Sequence, residues 1–273
     1  MKRDNILVSV SGGRSSAVMA RIVQTSLKYS GFTKHFVFCN TSRESQGTYD
    51  FLRKMELDWR VPLIYLEGIY PREIGQGVKA RTVDFKKLKR DGSLFEEMIE
   101  FQFKTKGPSL PSTSQPFCSG LLKQKVARSF MRDLVGTRRY VTALGYRLED
   151  MPHRVSYAAL AATNEYICPL IQDFAIPLSQ YDIQDILDLN TFDLSHSSKF
   201  GNCKICWKAS DASVVERAKI YPEDAAFVRY LELKYNDVMF RGRRRLDDVL
   251  DDRFKGMNSL FDNSIDDSCN CGL

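Results

Sequence analysis

Short apolar runs alternate with amphipathic stretches along most of the chain. Ile6, Leu7 and Val8 form the first run, and the next apolar residues recur at spacings of three and four, the period of a helix with one buried face. That stripe consists of Val18, Met19, Ile22, Val23 and Leu27. Further apolar runs at 36–39, 61–66, 140–144 and 166–170 predict four more strands. This alternation predicts an α/β fold, with a Rossmann-like, five-stranded parallel sheet flanked by helices.

Three more helices are predicted from spacing and capping. One covers 48–58, between the second and third strands. A second precedes the fourth strand and carries the stripe Leu122, Val126, Phe130 and Leu134. A third begins with a capping-box pattern, in which Ser179 and Asp182 precede a face made of Ile183, Ile186 and Leu187.

Two segments interrupt this alternation. The stretch at 68–116 is rich in lysine and ends in a loop of proline and serine, so we expect an irregular insertion that could act as a lid. From about Asn190 onward the chain is predicted to be mostly helical and bears cysteines. We therefore expect a nucleotide-binding α/β domain at 1–190 and a C-terminal helical region at 191–273.

Composition and charge limit which cellular compartment and which binding partners are expected. The chain has 273 residues, a formal net charge of +6 and seven cysteines. No apolar run approaches the roughly 18 residues of a membrane helix, and an odd cysteine count without a signal peptide argues against a disulfide scaffold. We expect a soluble, cytoplasmic protein that binds no membrane and assembles as a homo-oligomer. Its modest positive charge suits an anionic nucleotide.

The turn after the first strand is the clearest candidate for phosphate binding. Small and polar residues at 9–16 would close a strand and open a helix, whose first amides and dipole attract anions. The hydroxyl groups and the cation of this turn would add hydrogen bonds to phosphate oxygens. The candidate phosphate-binding residues are Ser9, Ser11, Gly12, Gly13, Arg14, Ser15 and Ser16.

Two further polar segments follow predicted strands and should reach the same edge of the sheet, because parallel strands end there together. The first follows the second strand and contributes Asn40, Thr41, Arg43 and Glu44. The second follows the fourth strand and contributes Gly145, Arg147, Glu149 and Arg154. The arginines of the second segment would clamp phosphate or sulfate oxygens.

Together these motifs resemble the PP-loop ATP pyrophosphatase and phosphoadenosine phosphosulfate (PAPS) reductase superfamily, also called adenine nucleotide alpha hydrolase-like. The resembling segments are Ser-Gly-Gly-x-x-Ser, the Asn-Thr-x-x-Glu after the second strand, and Gly-x-Arg-x-x-x-x-x-x-Arg after the fourth. Ser42 stands where that family usually has glycine. The resemblance implies a HUP-type sheet and an ATP or PAPS/APS site with Mg²⁺. It also implies catalytic roles for Ser11, Arg14, Lys123, Arg147 and Cys271.

The cysteines indicate a metal site or thiol chemistry. Cys203 and Cys206 form a Cys-x-x-Cys pair, Cys269 and Cys271 form a terminal pair, and Cys118 lies at the head of a predicted helix. Such thiols can hold Zn²⁺ or a [4Fe-4S] cluster. Redox catalysis by Cys271 and unligated thiols are the alternatives. These pairs also resemble phage and bacterial PAPS reductase-like proteins.

The favoured activity is cleavage of ATP to AMP and pyrophosphate to adenylate a substrate, with sulfur transfer if a cluster is present. The first alternative is a sulfonucleotide reductase that releases sulfite through a cysteine thiol. The histidine that follows the terminal Cys-Gly-Leu in such reductases is absent here. The second alternative is a non-catalytic protein that binds a nucleotide or nucleic acid. Candidate RNA or DNA contacts are Arg241, Arg243, Arg244, Arg245 and the lysines of the insertion.

Overall fold

Strand β1 (Asn5–Ser9) lies inside a six-stranded sheet with the order β4-β3-β2-β1-β5-β6. The other strands are β2 (Thr33–Cys39), β3 (Leu63–Ile69), β4 (Lys79–Thr82), β5 (Tyr140–Ala143) and β6 (Tyr166–Ile167). In this computed structural model the described residues are 4–71, 73, 75–136, 139–190, 192–195, 203–240 and 244–251. The predicted α/β fold and its strand-helix alternation are confirmed.

The sheet is mixed, and this corrects the prediction of five parallel strands. All predicted strands are present and pair in parallel, but β4 adds a sixth that runs antiparallel to β3. Strand β4 is half-exposed and lies in the stretch expected to be irregular. Its sequence Lys-Ala-Arg-Thr lacks the apolar run that marks the inner strands, as is common for an edge strand.

Helices cover both faces of the sheet. Their bounds are α1 (Arg14–Thr25), α2 (Gln46–Asp58), α3 (Ser93–Lys106), α4 (Phe117–Ser119), α5 (Lys125–Val135), α6 (Tyr157–Ala162), α7 (Pro169–Gln172), α8 (Gln180–Asp188), α9 (Asp211–Ile220), α10 (Pro222–Tyr235) and α11 (Leu246–Leu250). A π-helical turn over Gly120–Gln124 joins α4 to α5. Within the described ranges, none of these helices is both long and apolar enough to cross a membrane.

Alternating side chains of the inner strands enter two separate cores. Ile6 and Val8 pack with α1, α2 and α8 on one face, whereas Leu7 packs on the other face with α3 and α5. Helices α9, α10 and α11 join this second core, so the C-terminal helices share it with the sheet. Both faces are buried, as expected for the inner strands of a parallel sheet.

Several predicted helices are present where they were expected, but the extent of a helix or the burial of a residue differs from the prediction. The capping box of Ser179 and Asp182 is confirmed at the start of α8. The supposedly irregular insertion contains α3, a helix of 14 residues. Leu27 and Leu134, predicted on buried stripes, are 87% and 51% exposed. Leu27 lies beyond the end of α1, and Leu134 lies in the last turn of α5, where a helix extends past the core.

Candidate functional site

The strand order creates a crevice at the carboxyl edge of the sheet. The chain builds outward from β1 through β2 to β3, and then returns to place β5 on the other side of β1. Open α/β sheets bind ligands where the strand order reverses in this way. The loops that follow β1 and β5 flank this point, so two of the three predicted binding segments meet there.

Gly145 brings the loop after β5 against the turn after β1. A Cβ atom at Gly145 would lie 3.1 Å from both the Cα and the amide nitrogen of Ser16. Those atoms belong to the first turn of α1, whose backbone has little room to move. The glycine therefore permits a close approach between the two loops that a larger residue would hinder.

Hydroxyl groups and glycine hold the turn after β1 in shape. The Ser11 amide donates to Ser16 Oγ at 3.0 Å, and Ser16 Oγ donates to the Gly13 carbonyl at 2.9 Å. Gly12 has a φ of 79°, and a Cβ there would lie 2.5 Å from Thr48 Cγ2. The turn is thus fixed from within and packed against α2. Buried Ser9 ends β1 beneath it.

The start of α1 can accept an anion. The N-cap residue Gly13 has no side-chain cap, and the first amides of a helix have no acceptor within it. A Cβ on Gly13 would meet only Ser11 Oγ, at 3.6 Å, within contact distance. Among the described residues, no group hydrogen-bonds to the half-buried hydroxyl of Ser15. This geometry agrees with phosphate recognition by amides, hydroxyls and the helix dipole.

Arg14 does not contact that space directly. Its Nε lies 2.9 Å from Asp193 Oδ1, its Nη2 lies 2.8 Å from Asp193 Oδ2, and Nη2 also donates to the Leu194 carbonyl. Burial raises the pKa of Asp193, but hydrogen bonds from Arg14 and Gln184 outweigh it and hold that pKa below its usual value. Arg14, whose cation was expected to bind phosphate oxygens, is therefore held in a bidentate ion pair with Asp193 in this structure.

The predicted arginine clamp after β5 is also internally paired. Arg147 Nε lies 3.1 Å from Glu149 Oε2, and Arg154 Nη1 lies 3.0 Å from Asp150 Oδ1. Glu149 additionally accepts the Gln180 amide at 2.8 Å, which ties this loop to the start of α8. The loop lies where it was predicted, but its carboxylates neutralise both arginines.

The segment after β2 is buried in this structure. Its predicted residues Asn40, Thr41, Arg43 and Glu44 are each at most 2% exposed. Thr41 Oγ1 donates to Glu44 Oε1 at 2.7 Å, and Tyr49 OH donates to Asn40 Oδ1 at 2.9 Å. Residues outside this segment shield the rest of its surface from solvent.

Glu44 and Lys123 form the electrostatic centre beneath this segment. Burial raises the pKa of Glu44, and the nearby positive charge of Lys123 together with the Thr41 hydrogen bond opposes that rise. Lys123 is itself 6% exposed and lies in the π-helical turn before α5. The predicted catalytic lysine thus lies deep in the protein, where it compensates a buried carboxylate.

Arg43 is the most enclosed cation of the predicted site. It forms an ion pair with Asp224 of α10, and its guanidinium lies 5.1 Å from the Phe95 ring centroid and 4.9 Å from that of Phe227. Its Nε and Nη1 have no hydrogen-bond acceptor among the described residues. The two aromatic faces supply the attraction that would otherwise come from such acceptors.

The Cys-x-x-Cys loop docks on the same segment. Cys203 forms an antiparallel bridge with Glu44, and the Lys204 amide donates to the Arg43 carbonyl at 2.9 Å. One residue beyond Cys206, Trp207 Nε1 donates to Cys118 Sγ at 3.4 Å. The structure therefore brings Cys118 next to the Cys-x-x-Cys loop.

Cys118, Cys203 and Cys206 are the three thiols of the predicted metal site that the structure describes. Within the described ranges, no group of three or more His, Cys, Asp or Glu side chains is arranged to hold a metal ion. Cys269 and Cys271 lie outside the described residues, so the ligand set and the catalytic role of Cys271 remain predictions. Cys39 and Cys168 are buried, and burial raises the pKa of each thiol to about 12.

Sequence reasoning missed the partners that decide how these residues behave. Asp193 and Asp224 bind Arg14 and Arg43 across separations of 179 and 181 residues. Nothing local in a single sequence marks such pairs. The sequence could indicate Thr48, which packs against Gly12, only in part: it lies in the first turn of the helix after β2.

The chain is similar to the uncharacterized nin region protein ORF290 of Escherichia phage lambda. The two are 28% identical over 211 residues, which is 76% of this chain and 67% of that protein. No protein-family profile matches the sequence, and no solved structure matches it. The name of the phage protein states no activity.

The burial of the Arg43 ion pair predicts a large and specific stability effect. Asp224→Ala leaves the guanidinium without its counter-charge, so we expect the free energy of unfolding to fall by about 3–5 kcal/mol. Asp247→Ala breaks the exposed pair with Arg229 and should cost less than about 1 kcal/mol. Urea unfolding of both variants measures the difference. Equal losses would contradict the account.

Close approach at Gly145 predicts a packing defect. The added methyl group of Gly145→Ala presses on the α1 backbone, so we expect the free energy of unfolding to fall by about 1–3 kcal/mol. Gly31→Ala is the control, because a Cβ there meets no atom within 4 Å. We expect it to change stability by less than about 1 kcal/mol. A Gly145→Ala protein as stable as wild type would show that the loops are not in tight contact.

Proposed function

We propose that this chain is an adenine-nucleotide enzyme that binds ATP at the carboxyl edge of its sheet. The reversal of strand order between β1 and β5 is the observation that carries the proposal. There the turn at 9–16 and the loop at Gly145 meet, beside a helix that begins without a side-chain cap. We also propose that the sheet is of the HUP type.

In this account the phosphates lie at the first turn of α1. The helix amides, the Ser11 and Ser15 hydroxyls and the helix dipole supply the primary contacts. Mg²⁺ would enter with the nucleotide, since it is usually held by substrate phosphates, water and only one or two carboxylates. Asp193 and Glu149, which pair with Arg14 and Arg147 at this edge, are the carboxylates that would contribute to holding it.

In this proposal Arg14 and Arg147 release their carboxylate partners and bind the phosphates of the nucleotide instead. Each guanidinium is bound to a carboxylate, Asp193 or Glu149, so a polyphosphate must compete with that carboxylate for it. Arg14 holds Asp193 in a bidentate geometry that a phosphate can also adopt, whereas Arg147 meets Glu149 through Nε alone. The arrangement keeps the edge close to neutral before the nucleotide arrives.

The proposed reaction is displacement of pyrophosphate from ATP, which leaves AMP attached to an acceptor oxygen. An acceptor oxygen attacks the α-phosphorus while the bond to the β-phosphate oxygen breaks. Holding the phosphates in line and neutralising their charge supplies most of the rate in such reactions. Sulfur transfer and a [4Fe-4S] or Zn²⁺ site remain predictions of the resemblance, and no step here depends on them.

Loss of one phosphate-facing hydroxyl provides a mild test of the site. Ser15→Ala removes a donor without disturbing a described hydrogen bond, so ATP should bind about tenfold more weakly, the usual effect of losing a hydrogen bond to a charged group. Ser30→Ala, an exposed serine after α1 whose hydroxyl donates to the Leu27 carbonyl, is the control and should bind ATP as wild type does. Calorimetric titration with ATP and Mg²⁺ measures both. If Ser15→Ala binds as tightly as wild type, the phosphates lie elsewhere.

The reaction itself is tested by its products. Pyrophosphate release from ATP should exceed sulfite release from PAPS when the full-length protein is assayed with each nucleotide. Release of sulfite without pyrophosphate would replace the proposal with the reductase alternative. Binding of ATP with no turnover of any nucleotide would favour the non-catalytic alternative.

A further inference from the structure

A cleft of about 680 Å³ opens between helix α5 and strands β5 and β6. It lies on the face of the sheet opposite α1 and is distinct from the turn at 9–16. Its lining residues are Gly77, Val78, Gln124, Lys125, Ala127, Arg128, Ser129, Arg132, Tyr140, Thr142, Leu144, Glu165 and Tyr166. The volume is in the range of pockets that hold organic ligands.

The floor of the cleft carries two tyrosines. Tyr140 and Thr142 lie two residues apart on β5, so their side chains share one face, and Tyr166 is the register partner of Thr142 on β6. By standard strand geometry the backbones of the two tyrosines lie about 8 Å apart. Burial raises the pKa of Tyr140, so its hydroxyl stays uncharged at neutral pH. The floor therefore offers aromatic surface without negative charge.

The wall of the cleft is basic. Lys125, Arg128 and Arg132 are exposed and follow one another on α5 at spacings of three and four, which spans about 10 Å of helix. Lys125 and Arg128 have no carboxylate within ion-pair distance among the described residues, whereas Arg132 pairs with Asp133 at 3.1 Å. Glu165 is the single acidic residue among those that line the cleft.

We propose that this cleft binds single-stranded nucleic acid, with bases stacked on Tyr140 and Tyr166 and phosphates held by Lys125, Arg128 and Arg132. A row of cations beside aromatic side chains is the combination that binds single strands without base-specific contacts. A free anion would need only one of these cations, and an acidic peptide would not need two aromatic platforms. A base-paired duplex keeps its bases stacked on each other and away from such a floor.

This surface goes beyond the proposed function and does not depend on it. Sequence reasoning located nucleic-acid contacts elsewhere: the described lining of the cleft contains none of the lysines of the insertion and neither Arg244 nor Arg245. Its upper end adjoins the other site, because Leu144 precedes Gly145 and Gln124 follows Lys123. A strand in the cleft would therefore extend toward the crevice at the carboxyl edge.

Fluorescence anisotropy of the full-length protein with labelled oligomers, in the absence of ATP, tests the electrostatic half of the proposal. Oligodeoxythymidylate and oligouridylate should both bind, more tightly than a duplex of equal length. The double variant Lys125→Ala with Arg128→Ala should bind at least about tenfold more weakly. Its log-log salt dependence should be shallower by about 1.4, because two phosphate contacts are lost.

Lys54→Ala with Lys219→Ala removes the same charge from exposed sites elsewhere and should bind as wild type does. Binding to only one of the two single strands would support the proposal and identify the nucleic acid as DNA or RNA. Duplex binding as tight as single-strand binding would overturn it. Equal weakening by both double variants would also overturn it, since the effect would then reflect net charge.

A second pair of variants tests the aromatic half. Tyr166→Leu removes the stacking face and should weaken binding at least about fivefold, whereas Tyr166→Phe should restore it. Tyr157→Leu alters an exposed tyrosine of α6 outside the cleft and should have no effect. Thermal unfolding checks that each variant is folded. A folded Tyr166→Leu protein that binds as tightly as wild type would overturn stacking in this cleft.

Discussion

The buried guanidinium of Arg43 is the interaction on which the carboxyl edge of the sheet depends. It extends from the end of β2, pairs with Asp224 of α10 and lies between Phe95 of α3 and Phe227 of α10. A charge with almost no exposure is stable only while its partners stay in place. The helices after residue 210 and the sheet are therefore joined at a point where separation would expose an unpaired cation.

This constraint also explains why the segment after β2 does not form an open wall. The Cys-x-x-Cys loop covers it through the bridge from Cys203 to Glu44, and Tyr49 closes it from α2. The crevice that remains is bounded by the loops after β1 and β5. There each arginine has a carboxylate partner, so amides, hydroxyls and the helix dipole are the groups free to meet an anion first.

The sequence predicted the parts of this structure that local patterns determine. Apolar runs located the inner strands, and the capping box of Ser179 and Asp182 located α8, because both signals lie within a few residues of the element they specify. Strand β4 was missed because an exposed edge strand needs no apolar run. The burial of Arg43 and the engagement of Arg14 depend on partners about 180 residues away, and no local pattern records them.

The central claim is that a nucleotide's phosphates bind the turn between β1 and α1. Backbone amide chemical shifts during titration with a non-hydrolysable ATP analogue and Mg²⁺ test it most directly. The account predicts the largest shifts at the amides of residues 11–16 and at Gly145. Large shifts confined to the cleft between α5 and β5, with residues 11–16 unchanged, would contradict it.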